Sequence, residues 1–143
     1  MTLAAVADAL GGEKALRHRL ATQLDLVAIG RRGVPRKALG ELAARLDLSF
    51  RELAQLLPVT ERTLRRYKPQ QHLSPVVSEH VLQLAEVVSR GREVFGDGPG
   101  FNAWLRQPSA ALGGGDPMVL LSSRYGIGIV LDELGRIEHG IPA

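Results

Sequence analysis

Residues 49–68 read SFRELAQLLPVTERTLRRYK, and this stretch decides what kind of fold the chain can adopt. Ser49-Phe50-Arg51-Glu52 is a capping box, in which the serine oxygen can accept the Glu52 amide while the Glu52 side chain reaches back to the Ser49 amide. The helix it opens stops before Pro58. Thr60 can cap a second helix, which ends at Lys68 because Pro69 disfavours helical geometry in the residue before it. Two short helices joined by a tight turn form a helix-turn-helix, and that unit places demands on a sequence. It needs a small residue where the helices cross, and Ala54 stands there. It needs apolar residues from both helices and the turn, and Leu53, Leu57, Val59, Leu64 and Tyr67 supply them. On the second helix Leu64 and Tyr67 point one way, Arg62 and Arg66 the other, and Arg65 lies at the edge of that exposed face.

Three arginines so close together repel one another unless something anionic sits among them. The second helix of a helix-turn-helix presents its exposed side chains to the DNA major groove. DNA contact is therefore expected from Thr60, Arg62, Thr63, Arg65, Arg66 and Lys68. The competing reading is a helical hairpin with a solvated basic face. The coincidence of crossing alanine, apolar offsets and basic face favours DNA. One departure stands out: the turn position usually held by glycine is Pro58, which cannot supply a positive φ, so the turn must be built differently.

Outward from this unit the pattern is helical almost throughout, which makes the chain all-α. Glycine and proline punctuate it, and apolar residues recur three and four apart between them. Residues 2–10 and 13–29 read as helices split by Gly11-Gly12, with Gly30 ending the second. Pro35 suits the first position of a helix running to Leu46. Ser74-Pro75 opens the longest helix, whose stripe is Val77, Val81, Leu84, Ala85, Val88 and Phe95. GDGPG at 96–100 is a turn, and a short helix carrying Trp104 and Leu105 closes at Pro108. Asp116-Pro117 starts another helix, and the last runs from Ser123 to Glu138 on Ile127, Val130, Leu131, Leu134 and Ile137.

Composition narrows the function. The chain has 143 residues and no cysteine, which excludes a disulfide scaffold, a thiolate metal site and a cysteine nucleophile, and fits a cytoplasmic setting. The four histidines are scattered, so neither a metal site nor a cofactor is expected. No apolar run approaches the ~20 residues of a membrane helix. MTLAAVADAL lacks a basic leader and carries Asp8, which argues against a signal peptide. Up to Lys68 there are 13 lysines and arginines against 7 acids, and beyond it 5 against 8. A basic first half points to a polyanion partner and an acidic second half to something else.

Catalytic motifs are weak. GGGDP has a phosphate loop's glycines but no following lysine-serine or lysine-threonine. Ser122-Ser123 lacks both a positioned histidine and a glycine elbow. Arg136, Glu138 and His139 could share acid–base work, but a small helical chain offers them no evident cleft. An enzyme is not expected.

The order of motifs resembles the Xre/MbcA/ParS antitoxin family, the partners of RES-domain toxins. The resemblance runs from Leu10-Gly11-Gly12 through LSFRELAQLLPVTERTLRR and LSPVVSEHVLQLAEVVSRGREVFGD to WLRQPSAALGGGDPMVLL and LGRIEHGIPA. The last two stretches are the more specific, because helix-turn-helix signatures are common. The resemblance implies two parts, a helix-turn-helix and oligomerisation region over residues 1–72 and a toxin-binding domain over 73–143. It implies that the first part binds operator DNA of the chain's own operon. The second would occlude the cleft in which the toxin consumes NAD⁺, through Trp104, Leu112, Arg136, Ile137, Glu138, His139, Gly140 and Ile141. Leu134, Ile137 and Ile141 so near the end suit a docking segment, and Gly135 and Gly140 permit close backbone approach. A homodimer is expected, since one helix-turn-helix gathers few phosphate contacts. The alternative is a stand-alone dimeric helix-turn-helix regulator whose C-terminal helices only dimerise or sense a ligand.

Overall fold

Ser74 and Pro75 start the element around which the rest is arranged. The computed structural model describes residues 2–140, and among them the regular structure is helical, with one isolated antiparallel bridge between Pro35 and His72. In chain order the helices are α1 (Leu3–Ala9), α2 (Glu13–Leu16), α3 (Gln23–Arg32), α4 (Ala38–Arg45), α5 (Phe50–Gln55) and α6 (Glu61–Arg65). Then come α7 (Pro75–Phe95), α8 (Gly100–Leu105), a 3-10 turn at Ala110–Leu112, α9 (Pro117–Leu120) and α10 (Arg124–Glu138). The Ser74 hydroxyl accepts the Val77 amide, and proline takes the first turn of α7, where its missing N–H costs nothing. The expected stripe from Val77 to Val88 is buried, as are Leu82, Val87 and Gly91 on other faces. Between Val77 and Gly91, α7 is buried on all but the stripe of Glu79, Gln83, Glu86 and Arg90, and so lies inside the molecule. Accordingly α1, α3, α4, α8 and α10 all pack on α7.

Three expectations are corrected. Residues 13–29 do not form one helix, because α2 stops at Arg17, which adopts a left-handed φ of 54°. The chain restarts through side chains: Glu13 accepts the Leu20 amide at 2.6 Å, and Asp25 accepts the amides of Ala21 and Thr22 at 2.8 and 2.9 Å. Next, α3 does not end at Gly30. It runs to Arg32 and stops at Gly33 (φ 102°), where a Cβ would strike the Leu73 carbonyl. Finally, Pro35 opens no helix. Residues 34–37 run beside 69–73 instead, with the Leu73 amide donating to Val34 and the Arg36 and Lys37 amides to Gln71 and Pro69, each at 2.9 Å.

The C-terminal part wraps the far end of α7. Phe95, Phe101 and Trp104 form an aromatic trio with ring centroids 5.7 to 6.4 Å apart. Gly91 admits it, since a Cβ there would occupy the Phe101 ring. At the α9–α10 corner Gly126 lies against the Leu120 carbonyl with no room for a Cβ. Along α10 the stripe Ile127, Val130 and Leu134 is buried, and Leu131 and Ile137 are half-buried. Two side chains, Asn102 in α8 and Arg106 just beyond its end, reach back to the α4–α5 corner. Arg106 Nη2 donates to the carbonyls of Leu46 and Asp47 at 2.7 and 2.9 Å, and Asn102 Nδ2 donates to that of Arg45 at 3.2 Å. These are carbonyls that the end of α4 leaves without intrahelical partners.

Candidate functional site

The capping box at Ser49 forms as read: the Glu52 amide donates to Ser49 Oγ at 3.1 Å, and the Ser49 amide to Glu52 Oε1 at 2.9 Å. That backbone bond, with the Ser49 hydroxyl, holds the Glu52 carboxyl below its ordinary range. Leu53, Ala54, Leu57 and Leu64 are buried between α5 and α6, and Val59 and Tyr67 are half-buried. The turn needs no positive φ. The Val59 amide donates to Leu57 at 2.8 Å across Pro58, and Arg17 and Asp47 are the non-glycine residues with positive φ among those described. Thr60 caps α6 through the Thr63 amide at 3.1 Å, and the two threonine hydroxyls lie 2.9 Å apart. The α-helix ends at Arg65 rather than Lys68, and Arg66 and Tyr67 continue it as a tighter turn, bonded back to Thr63 and Leu64.

Thr60, Arg62, Thr63, Arg65, Arg66 and Lys68 are all exposed along this one short segment. They are not equivalent. Arg65 donates to Glu61 at 2.6 Å, and its guanidinium carbon lies 5.1 Å from the Phe50 ring centroid. Arg62, Arg66 and Lys68 have no ion-pair partner among the described residues. Sequence reading missed Arg36, which lies over the same Phe50 ring at 4.5 Å. The signal was the Arg36-Lys37 pair after Pro35, hidden by assigning it to a helix.

The C-terminal candidates fall into two groups. Trp104 and Leu112 are half-buried, one in the aromatic trio and the other at the end of the 3-10 turn. Arg136 to Gly140 are contiguous at the end of α10, exposed except for half-buried Ile137. Glu138 accepts two bonds from Arg90, Nη1 to Oε2 and Nη2 to Oε1, both 2.8 Å, and Arg136 lies 3.4 Å from buried Glu133. His139 Nε2 is 3.6 Å from Glu138 Oε1, and Gly140 has φ 67°. Ile141 lies outside the described residues. Tyr125, 91% exposed, and Ile129, one turn later and 48% exposed, are apolar residues of α10 that the core stripe did not anticipate.

A groove of about 370 Å³ lies among α3, α7 and α10, lined by Leu26, Val27, Glu79, Leu82, Glu86 and Arg124 among others. Burial pushes the Glu86 carboxyl above its ordinary range. Arg124 bridges part of this wall by bonding Glu79 and Gln83, both at 3.0 Å. Among the described residues no group of three His, Asp or Glu could hold a metal ion, and no helix is long and apolar enough to cross a membrane. What the arrangement offers is surfaces, one basic and one at the end of α10.

Comparison with known proteins fits that division. Residues 25–86 match the family described as the antitoxin Xre-like helix-turn-helix domain, and residues 90–140 the antitoxin Xre/MbcA/ParS C-terminal toxin-binding domain. A protein of Sphingobium sp. (strain YBL2), the "Prs ADP-ribosylating antitoxin", is 31% identical over 130 residues, covering 84% of this chain and 82% of its own length. The two matches meet within α7, the helix on which both ends of the chain pack. With a helix-turn-helix ahead of a toxin-binding domain, the chain belongs to the Xre/MbcA/ParS family of antitoxins, and its partner is a toxin.

Proposed function

We propose that this antitoxin neutralises a RES-domain toxin by covering the cleft in which that toxin consumes NAD⁺, and that it represses its own operon through α6. It acts by binding, not by catalysis. The division of labour follows residues 1–72, which bind operator DNA and hold two copies together, and residues 73–143, which hold the toxin. Arg136, Ile137, Glu138, His139, Gly140 and Ile141 form the inserting segment, and Trp104 and Leu112 also contact the toxin. Arg62, Arg65, Arg66 and Lys68 contact the DNA, with Thr60 and Thr63 setting the start of α6.

The observation that carries this reading is the family match over residues 90–140, which ends on the exposed run Arg136–Gly140. Beyond the end of α10 at Glu138, Gly140 holds a positive φ, and its lack of a side chain lets the backbone approach a partner closely. A chain lacking residues 139–143 keeps the Arg90–Glu138 pair, so its fold should be intact. Co-expressed with the toxin of its own operon, it should retain wild-type helicity and still shift its promoter duplex, yet fail to protect cells. Full protection by the shortened chain would refute the assignment of His139, Gly140 and Ile141 to the inserting segment.

A further inference from the structure

Arg36 and Lys37 precede α4 and lie outside the helix-turn-helix, but the fold carries them to its basic edge. Arg36 and Arg65 share the Phe50 ring, so their guanidinium carbons lie within about 10 Å of each other. The backbone does the same for Lys37, whose amide donates to the carbonyl of Pro69, the residue after Lys68. Two separate stretches, 36–37 and 65–68, thus deliver Arg36, Lys37, Arg65 and Lys68 to one neighbourhood. Glu61 is already bonded to Arg65 at 2.6 Å and approached by Arg51 at 4.0 Å. Arg36, Lys37 and Lys68 have no ion-pair partner among the described residues, and Arg36 Nε is buried without a hydrogen-bond acceptor.

Gathering like charges is unfavourable in the free chain, and the unfavourable term is relieved when an anion binds among them. A flexible lysine patch would evade the repulsion by splaying apart. Here the arginine is stacked on an aromatic face, which fixes the plane of its guanidinium and reduces the freedom lost when it binds. Its terminal nitrogens make no bond to the described residues, and a phosphate oxygen is the acceptor that such a fork fits.

We infer that Arg36 and Lys37 form a phosphate-contact site for the backbone of duplex DNA, beside α6 and in addition to it. The inference rests on the DNA-binding reading above and adds two residues to it with a distinct role. Phosphate contacts fix register and orientation without reading sequence. The pair therefore contributes affinity and salt dependence, and discrimination between operator and other DNA stays with α6.

The test is fluorescence anisotropy with the full chain and two duplexes, its own promoter and a scrambled one, titrated over a range of salt. Lys37→Gln and Arg36→Gln should each lower the slope of log affinity against log salt by roughly 0.9. The ratio of promoter to scrambled affinity should stay at the wild-type value in both. Arg36→Lys keeps the charge and should restore the slope. Lys37 is not stacked on Phe50, so its variant remains informative if Arg36→Gln fails to fold. Unchanged slopes in a wild type that binds DNA would overturn this inference alone. A variant that loses the promoter preference would overturn it too, by making the pair base readers. Binding to duplex RNA with the same slope changes but not to DNA would reassign the site, and a wild type that binds no duplex would overturn both readings together.

Discussion

The Arg90–Glu138 pair can be taken apart by a double-mutant cycle, with Arg90→Met and Glu138→Gln as the single changes. The pair joins the last residue of α10 to α7 through two charge-assisted bonds of 2.8 Å, with side chains 21% and 32% exposed. Exposed ion pairs couple by about 0.2–1 kcal/mol, and breaking a buried one costs about 3–5 kcal/mol. These exposures set the pair near the top of the first range, and its paired geometry raises it slightly, giving a coupling of about 1 kcal/mol. Arg90 also bonds Glu93 at 2.7 Å, so Arg90→Met alone loses more than Glu138→Gln alone. The cycle removes that extra loss and isolates the pair. In a chain of this size about 1 kcal/mol corresponds to roughly 2–4 °C in Tm. Urea unfolding of the four proteins, at low and high salt, measures it, and salt should shrink the coupling. A coupling indistinguishable from zero at low salt would refute the claim that this contact fixes the end of α10. Arg90→Met should also weaken toxin capture, although Arg90 stands outside the segment assigned to the toxin.

Two further outcomes are expected. His80 is buried with its Nε2 2.9 Å from the Leu121 carbonyl, and burial, aided by nearby Arg124, holds its pKa below the ordinary 6.5. The unfolded chain therefore takes up a proton first as pH falls below about 6.5, and stability drops there by up to about 1.4 kcal/mol per pH unit; His80→Gln should remove that share of the acid slope, and identical pH profiles would contradict it. Light scattering at micromolar concentration should show a dimer with or without toxin, because one short α6 offers few phosphate contacts, and a monomer in both conditions would contradict the assembly proposed.

Features fixed by neighbours in the chain were legible, and those made across it were not. Ser49 and Thr60 cap the helices assigned to them, and Ser74 and Ser123 cap helices expected to begin at them, because a cap depends on residues three apart; Asp116, expected to cap α9, makes no side-chain cap bond. The stripes of α7 and α10 followed from periodicity. The break at Arg17 did not, since it depends on Glu13 and Asp25 diverting to free amides. The run 34–37 looked like a helix start until paired with 69–73, a contact that no local pattern encodes. The same holds for the sites. The arginines of α6 were visible as a cluster, whereas Arg36 joined them only through Phe50. The pairing of Glu138 with Arg90 was not legible, because the two lie 48 residues apart.

The reach of α8 back to the α4–α5 corner bears on how such a protein can change partners. Arg106 and Asn102 belong to the stretch matched as toxin-binding, yet the carbonyls they serve, on Arg45, Leu46 and Asp47, precede the capping box of the helix-turn-helix. A graft of residues 90–140 from a relative would leave those carbonyls without these donors unless it carried the same two side chains at the same places. The halves are thus tenants of one structure rather than cassettes. Substitution along Arg136 to Gly140, the run that the proposed function assigns to the toxin, leaves that corner untouched. On that reading, new toxin specificities are more accessible to this scaffold by substitution there than by recombination.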